Sequence, residues 1–245
     1  MELYNAMIRG VEGLAGSSAP RRFDYDPANA WEDTGAFELV MLRDAAFELG
    51  GGDKPAVNFT CVTTSPALIP KDEILVFGPD LGELKGDCAY ARVALLRVGD
   101  IESDDEEDTE QAFRAIQDMD FVKYRVFPKV YMIRTSSESS REQVRISKEA
   151  LQKGVSFQRI GNDFIQQYKK NPSILAVKML FITAPDADYA ALAKEAKTAK
   201  DITLSLTKIL EGMPTDCGSC SLKSICDEVE GMRELHFGKE HHTTE

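Results

Sequence analysis

Histidine is almost missing from this chain. Its three copies, His236, His241 and His242, all fall within the last ten residues. A Ser-His-Asp triad or a pair of histidines holding a metal inside the fold is therefore not expected. Basic charge is also short: 29 Lys and Arg stand against 41 Asp and Glu, a net of −12. Nucleic-acid binding rests largely on neutralising phosphates, so no nucleic-acid partner is expected. No apolar run reaches the ~18 residues of a membrane span. The longest, "ILAVKMLFI" (Ile174–Ile182), suits a buried strand. The opening "MELYNAMIRGVEGLAG" lacks a basic stretch followed by an apolar one, the mark of an export signal. A cytoplasmic protein without membrane contact is expected. Cysteine is scarce and odd in number, five in all. That argues against a disulfide framework and for reduced thiols or metal ligands.

What is present describes an ordinary globular protein, 43% apolar and 29% charged, long enough for one large domain or two small ones. Residues 1–55 read as a helical segment with breaks. In "TGAFELVMLRDAAFELGGG", Phe37, Val40, Met41, Ala45 and Leu49 fall near helical spacing, with Thr34 as N-cap and Gly50, Gly51 and Gly52 as the stop. The preceding "GSSAPRRFDYDPANAWED" is rich in turn formers and reads as a long loop. "VNFTCVT" alternates Val57, Phe59, Cys61 and Thr63, as a half-buried strand does. Glu73–Asp80, Tyr90–Gly99, "FVKYRVF" and "KVYMIRT" are further strand candidates, and the acidic block Glu102–Glu110 belongs in solvent. From Ser147 the pattern turns helical, with Ser147 as a cap, Gly154 as a stop and Phe157, Ile160, Phe164, Ile165 and Tyr168 at helical spacing. The strand Ile174–Thr183 follows, then one or two helices to Gly212. The order predicts an α+β fold, a mainly antiparallel sheet with helices packed on it. Three regions are expected: a helical N-terminal segment (1–55), an α+β domain (56–212) and a cysteine-rich C-terminal segment (213–245).

Three of the five cysteines, Cys217, Cys220 and Cys226, form C-x2-C-x5-C in that last segment. Thiolates are soft ligands for zinc or iron–sulfur clusters, and C-x2-C lets two sulfurs reach one metal. The fourth ligand stays open among Cys61, Cys88 and His236. The plainer alternative is three reduced thiols. "FELGGGDKP" (Phe47–Pro55) has three glycines and Lys54 but not the spacing of a phosphate loop, and reads as a helix stop.

"VRISKEALQKGVSFQRIGNDFIQQYKKNPSILAVKMLFIT" (Val144–Thr183) resembles a segment of the middle domain of acetyl-CoA synthase, the β subunit of the carbon monoxide dehydrogenase/acetyl-CoA synthase complex. "VFGPDLGEL" (Val76–Leu84) resembles the same domain, and the similarity runs from about Val76 to Leu210. The resemblance implies a role in one-carbon and acetyl-CoA metabolism, with components of that complex as partners. It also favours iron–sulfur over zinc at Cys217, Cys220 and Cys226. By resemblance the activity would be CO-methylating acetyl-CoA synthesis, an acyl transfer. The family's nickel-binding Cys-Gly-Cys does not occur in this sequence, and its large N-terminal domain has no counterpart here. A stand-alone accessory or binding module is therefore expected, with an acyl-transfer enzyme of unidentified site or a metal-stapled structural protein as alternatives. The family tryptophan linked to coenzyme A corresponds to Gln143. Arg145 matches the family arginine and is the candidate coenzyme A contact. Lys148, Lys153 and Arg159 could also meet its phosphates, although such cations more often form a solvated helix face.

Overall fold

The computed structural model describes residues 2–99, 114–136, 140–210 and 220–228. The chain opens with helix α1 (Glu2–Leu14), whose apolar stripe buries Tyr4, Met7, Ile8 and Val11. Strands β1 (Arg21–Asp24), β2 (Ala45–Leu49), β3 (Ala56–Thr63), β4 (Glu73–Phe77) and β5 (Tyr90–Val98) follow. Residues 114–120 are helical (α2). Then come β6 (Tyr131–Ser136), β7 (Arg141–Ser147), α3 (Lys148–Gln152), α4 (Phe157–Tyr168), β8 (Ile174–Ile182), α5 (Tyr189–Leu210) and α6 (Lys223–Glu228).

Five strands form a mixed sheet in the order β1-β4-β8-β5-β3, and three form a second sheet, β2-β7-β6. Four of the six pairings among the described residues are antiparallel, while β3 with β5 and β4 with β8 are parallel. The architecture is α+β, rich in antiparallel pairing but mixed. Helices lie on both faces of the larger sheet. Thr63 hydrogen-bonds Asn5 of α1 at 2.6 Å, whereas Arg92, in register with Asn58, lies under Phe164 of α4. Asn58 and Thr63 are an odd number of residues apart on one strand, so α1 and α4 cover opposite faces.

That double cover changes the expectation for β3. All eight of its residues are buried, so the half-buried reading of Val57–Thr63 is corrected. The alternating polar positions Asn58 and Thr60 face a second packed layer, not water.

The helix expected over residues 34–49 is not formed. Thr34 accepts no cap bond from a helix; its hydroxyl donates to the carbonyl of Ala36, and Gly35 sits at φ 66. Phe37 and Met41, placed on the supposed apolar stripe, are 58% and 49% exposed. Ala45–Leu49 instead pairs antiparallel with β7, burying Phe47 and Leu49 and leaving Glu48 between them opposite Arg145. A long-range strand partner overrides a local period that fits a helix only loosely. Gly50 therefore ends a strand. It lies at φ 65, and a Cβ there would stand 2.2 Å from that of Ala56. Likewise "FVKYRVF" holds a 3-10 turn, Phe121–Tyr124, where a strand was expected, and "GSSAPRRFDYDPANAWED" contains β1 and a short turn of helix at Pro27–Asn29.

The region from Ser147 folds as its sequence suggests. Ser147 Oγ accepts from the Ala150 N–H and Ser156 Oγ from the Arg159 N–H, each capping a helix. Gly154 follows α3 at φ 75. α4 buries all five apolar positions of its stripe. Gly161 lets it press onto β4, where a Cβ would meet Ile74 at 2.8 Å. α5 is one continuous helix. The acidic block Glu102–Glu110 lies outside the described residues. No described helix is long and apolar enough to cross a membrane.

The two sheets are tied by a buried ion pair. Arg92 of β5 and Glu142 of β7 are 1% and 0% exposed in their side chains, with contacts of 2.6, 2.9 and 3.1 Å. The guanidinium also stacks 4.4 Å from the Phe164 ring centroid. Removing one charge strands the other in a low-dielectric interior. Arg92→Met or Glu142→Gln alone should cost about 3–5 kcal/mol, and Arg92→Met with Glu142→Leu should recover much of that. Urea unfolding of the four proteins checks this. Equal, small losses for both single variants would show the pair to be dispensable.

Candidate functional site

Strand β7 places alternate side chains on two environments. Glu142, Val144 and Ile146 are buried, while Gln143 and Arg145 look the other way, toward β2. The register sets Glu48 of β2 directly opposite Arg145. Arg145 Nε and Nη2 donate to Glu48 Oε1 at 2.7 and 2.5 Å, and Gln143 Nε2 donates to Oε2 at 2.7 Å. Arg145 Nη1 donates to the Val40 carbonyl at 2.8 Å. The guanidinium is thus engaged at all three nitrogens, and its charge is compensated.

Beside this pair opens a cleft of about 460 Å³ whose walls include Val40, Arg43, Asp44, Val130, Lys148 and Glu149. Lys148 Nζ donates to the Arg43 carbonyl at 3.1 Å, so it stands at the cleft. Val130 has φ 55, an uncommon conformation for a β-branched residue, and its N–H donates to Glu38 Oε2 at 2.7 Å. The other two cations are used differently. Lys153 pairs with Glu149 at 2.5 Å along the helix surface. Arg159 stacks 4.4 Å from the Trp31 centroid, and its Nη1 donates to the carbonyls of Lys153 and Gly154. Of the four candidate phosphate contacts, Arg145 and Lys148 therefore share one neighbourhood, while Arg159 closes the end of α3.

Of the cysteine cluster, Cys217 and the candidate ligand His236 lie outside the described residues. Cys220 and Cys226 are both partly buried. The Cys220 carbonyl accepts from the Lys223 N–H at 3.2 Å, so a tight turn leads from Cys220 into α6, which carries Cys226. Leu222 is buried, and Ile225 and Cys226 pack on the main core, fastening α6 to α5. The remaining thiols sit elsewhere. Cys61 is 1% exposed inside β3, and burial pushes its thiol up. Cys88 bridges to Leu49, and burial with Asp87 nearby pushes its thiol up to about 11. Burial thus favours the protonated form of both thiols. Among the described residues, no three His, Cys, Asp or Glu side chains gather around one point.

Two features escaped the sequence reading. One is the Arg92–Glu142 pair; the signal available was a lone arginine inside the apolar run "YARVALLRV". The other is Asp163 in α4, 1% exposed, whose carboxyl is pushed up to about 7 by burial and then by the charge of Asp33. Gln167, one turn on, donates to Asp33 Oδ2 at 2.9 Å. An acid titrating near neutrality can exchange protons at physiological pH; here it stands near another carboxylate, and its Oδ2 has no hydrogen-bond partner among the described residues.

No family model matches the chain, and no curated protein matches it in sequence.

Asp163 gives the fold a defined pH response. Its folded pKa, about 7, lies above the ordinary 3.8, so the folded state binds the extra proton. Stability should be highest below pH ~4, fall as pH rises through 7 and then level off, so far as this group is concerned. Asp163→Asn should flatten that slope and stabilise the protein at pH 8. Urea midpoints from pH 5 to 8 check both, and an unchanged slope in the variant would refute the assignment.

Proposed function

We propose that this chain is a relative of the acetyl-CoA synthase middle domain and works as a binding or accessory module in one-carbon and acetyl-CoA metabolism. The observation that carries the reading is how the resembling segment folds. Val144–Thr183 supplies the end of β7, then α3, α4 and β8, in unbroken succession, and Arg145 holds the carbonyl of Val40, a residue that lines the cleft. A binding role suits that cleft better than acid–base catalysis. Arg145, which lies behind the cleft wall, is saturated by Glu48 and a carbonyl, and no histidine falls among the described residues. The 245 residues contain no Cys-Gly-Cys, so acetyl-CoA formation by this chain alone is not expected. Components of the carbon monoxide dehydrogenase/acetyl-CoA synthase complex are the proposed partners.

Coenzyme A is the proposed ligand of the cleft, with its phosphates near Lys148 and Arg145. Since Glu48 already neutralises Arg145, binding should be weak and salt-sensitive. Glu48→Gln keeps the shape and releases the charge, and should tighten coenzyme A about tenfold at low salt, the effect of ~1.4 kcal/mol. Calorimetry at two salt concentrations tests this. No heat at millimolar coenzyme A in either protein would remove it from the account.

The cysteines Cys217, Cys220 and Cys226 are proposed to hold one metal centre, iron–sulfur in preference to zinc. What supports this is the thiolate donor set and its spacing, together with the turn that carries Cys220 into α6. Such a centre would cross-link the stretch that holds Cys217 and Cys220 to α6, which packs on α5. Protein prepared without oxygen should contain metal and, for iron–sulfur, absorb broadly near ~400 nm. Serine at any of the three positions should lower metal content and raise protease cleavage after Gly212. Metal-free protein with three freely titrating thiols would leave only reduced cysteines.

A further inference from the structure

Residues 37–41 cross the surface outside any helix or sheet, and their side chains alternate as in an extended chain. Glu38 and Val40 turn inward. Glu38 Oε2 accepts from the Val130 N–H at 2.7 Å, and the carbonyl of the buried Val40 accepts from Arg145. Phe37, Leu39 and Met41 point the other way, and with Leu42 they are between 49% and 72% exposed. Tyr124, which shares a hollow of about 110 Å³ with Phe37, is also exposed and widens the face. Together these side chains leave roughly 500 Å² of largely apolar surface in water, near the upper end of what a monomer keeps uncovered. An apolar residue exposed singly needs no explanation, but a row held outward by two anchored neighbours does.

The charges beside the row are of both signs. Arg43, 84% exposed in its side chain, follows it and pairs only with Asp44, at 3.4 Å, among the described residues. Glu32, 68% exposed, precedes it, with Lys129 at 3.3 Å. A row with a cation beyond one end and an anion beyond the other complements its own reversed copy.

We propose that this row is the centre of a two-fold interface with a second copy of the chain. Antiparallel rows centred on Leu39 set the two Leu39 side chains against each other, Phe37 against the other copy's Met41, and Arg43 toward the other copy's Glu32. A strongly acidic or basic partner would call for charge of one sign here, which the face lacks. The area falls short of the ~800 Å² that each partner gives to a standard interface, so the dimer is weak and reversible, with a Kd of about 0.1 mM. Each copy carries a net charge of −12, whose repulsion is screened beyond ~8 Å at ~0.15 M salt.

Sedimentation equilibrium of the full chain without added ligand, from ~10 µM to ~1 mM protein at ~0.15 M salt, tests this. The mass should rise from monomer toward dimer. Leu39→Glu, at an exposed position, should weaken association about tenfold or more with unchanged circular dichroism, since it sets two like charges against each other. Arg43→Glu should weaken it several-fold, and adding Glu32→Arg to Arg43→Glu should restore it. A loss that the double variant does not repair overturns the antiparallel arrangement. Leu39→Cys should form a disulfide-linked dimer under mild oxidation, in excess of any formed by the wild type with its five cysteines, and no excess overturns the placement of Leu39 on the axis. A chain that stays monomeric to ~1 mM overturns the proposal and leaves the row to a different protein. A dimer undiminished in Leu39→Glu overturns it too, because association then uses another face.

Discussion

The contact between Arg92 and Glu142 decides how the two sheets meet. Neither charge could be buried alone. Each is acceptable because the other supplies charge-assisted hydrogen bonds, and Phe164 covers the guanidinium face. The pair fixes β7 relative to β5, and β7 in turn fixes β2 and β6 by register. Everything on the outer face of β7 then follows. Glu142 points inward, so Gln143 and Arg145 alternate outward or sideways, and Arg145 arrives opposite Glu48. The interior ion pair and the exterior one are consequences of a single strand phase. A slip of β7 by one residue would bury Arg145 without a carboxylate and expose Glu142, which makes register a strongly specified property here.

Around the same pair, the interior carries more polar groups than it satisfies. The hydroxyls of Tyr90, Tyr131 and Tyr168 lie buried without hydrogen bonds of good geometry, and Arg92 Nη1 is in the same condition. Burial raises the pKa of all three phenols, so they remain neutral donors. Polar groups of this kind are costly in isolation and specific in company. Their phenyl rings pay no such penalty: Tyr90 stacks on Phe157 and Phe157 on Phe181, linking β5, α4 and β8. The layer between the sheets is thus part aromatic and part polar, and the polar part borders Asn58 and Thr60.

What was legible in the sequence follows the range of the interactions involved. α3 and α4 were readable because their signals are local: Ser147 as a cap, Gly154 as a stop, and a five-residue apolar stripe that all points inward. β8 was readable because nine mostly apolar residues between a Pro-containing turn and a polar segment have few alternatives. Residues 34–49 were misread because their partner, β7, lies about a hundred residues away. No pattern within the segment announces Glu48 facing Arg145. The mixed character of the large sheet was hidden for the same reason, since β4 beside β8 depends on a connection that passes through β5, β6, β7 and three helices. Arg145 was singled out by resemblance, and nothing in its neighbours' spacing revealed that Glu48 and Val40 would occupy its nitrogens.

That occupancy bears on what a cleft near Arg145 can do. An arginine free to close on a phosphate gives tight recognition through its planar fork. Here the fork already grips a carboxylate, and Gln143 holds the second oxygen of that carboxylate in place. A phosphate arriving from solvent would have to displace a well-oriented partner and accept its negative charge nearby. Lys148, whose ammonium donates among the described residues only to a carbonyl, is the cation better able to respond. Anion affinity proposed for this cleft would therefore depend less on how many cations surround it than on whether Glu48 stays in contact with Arg145.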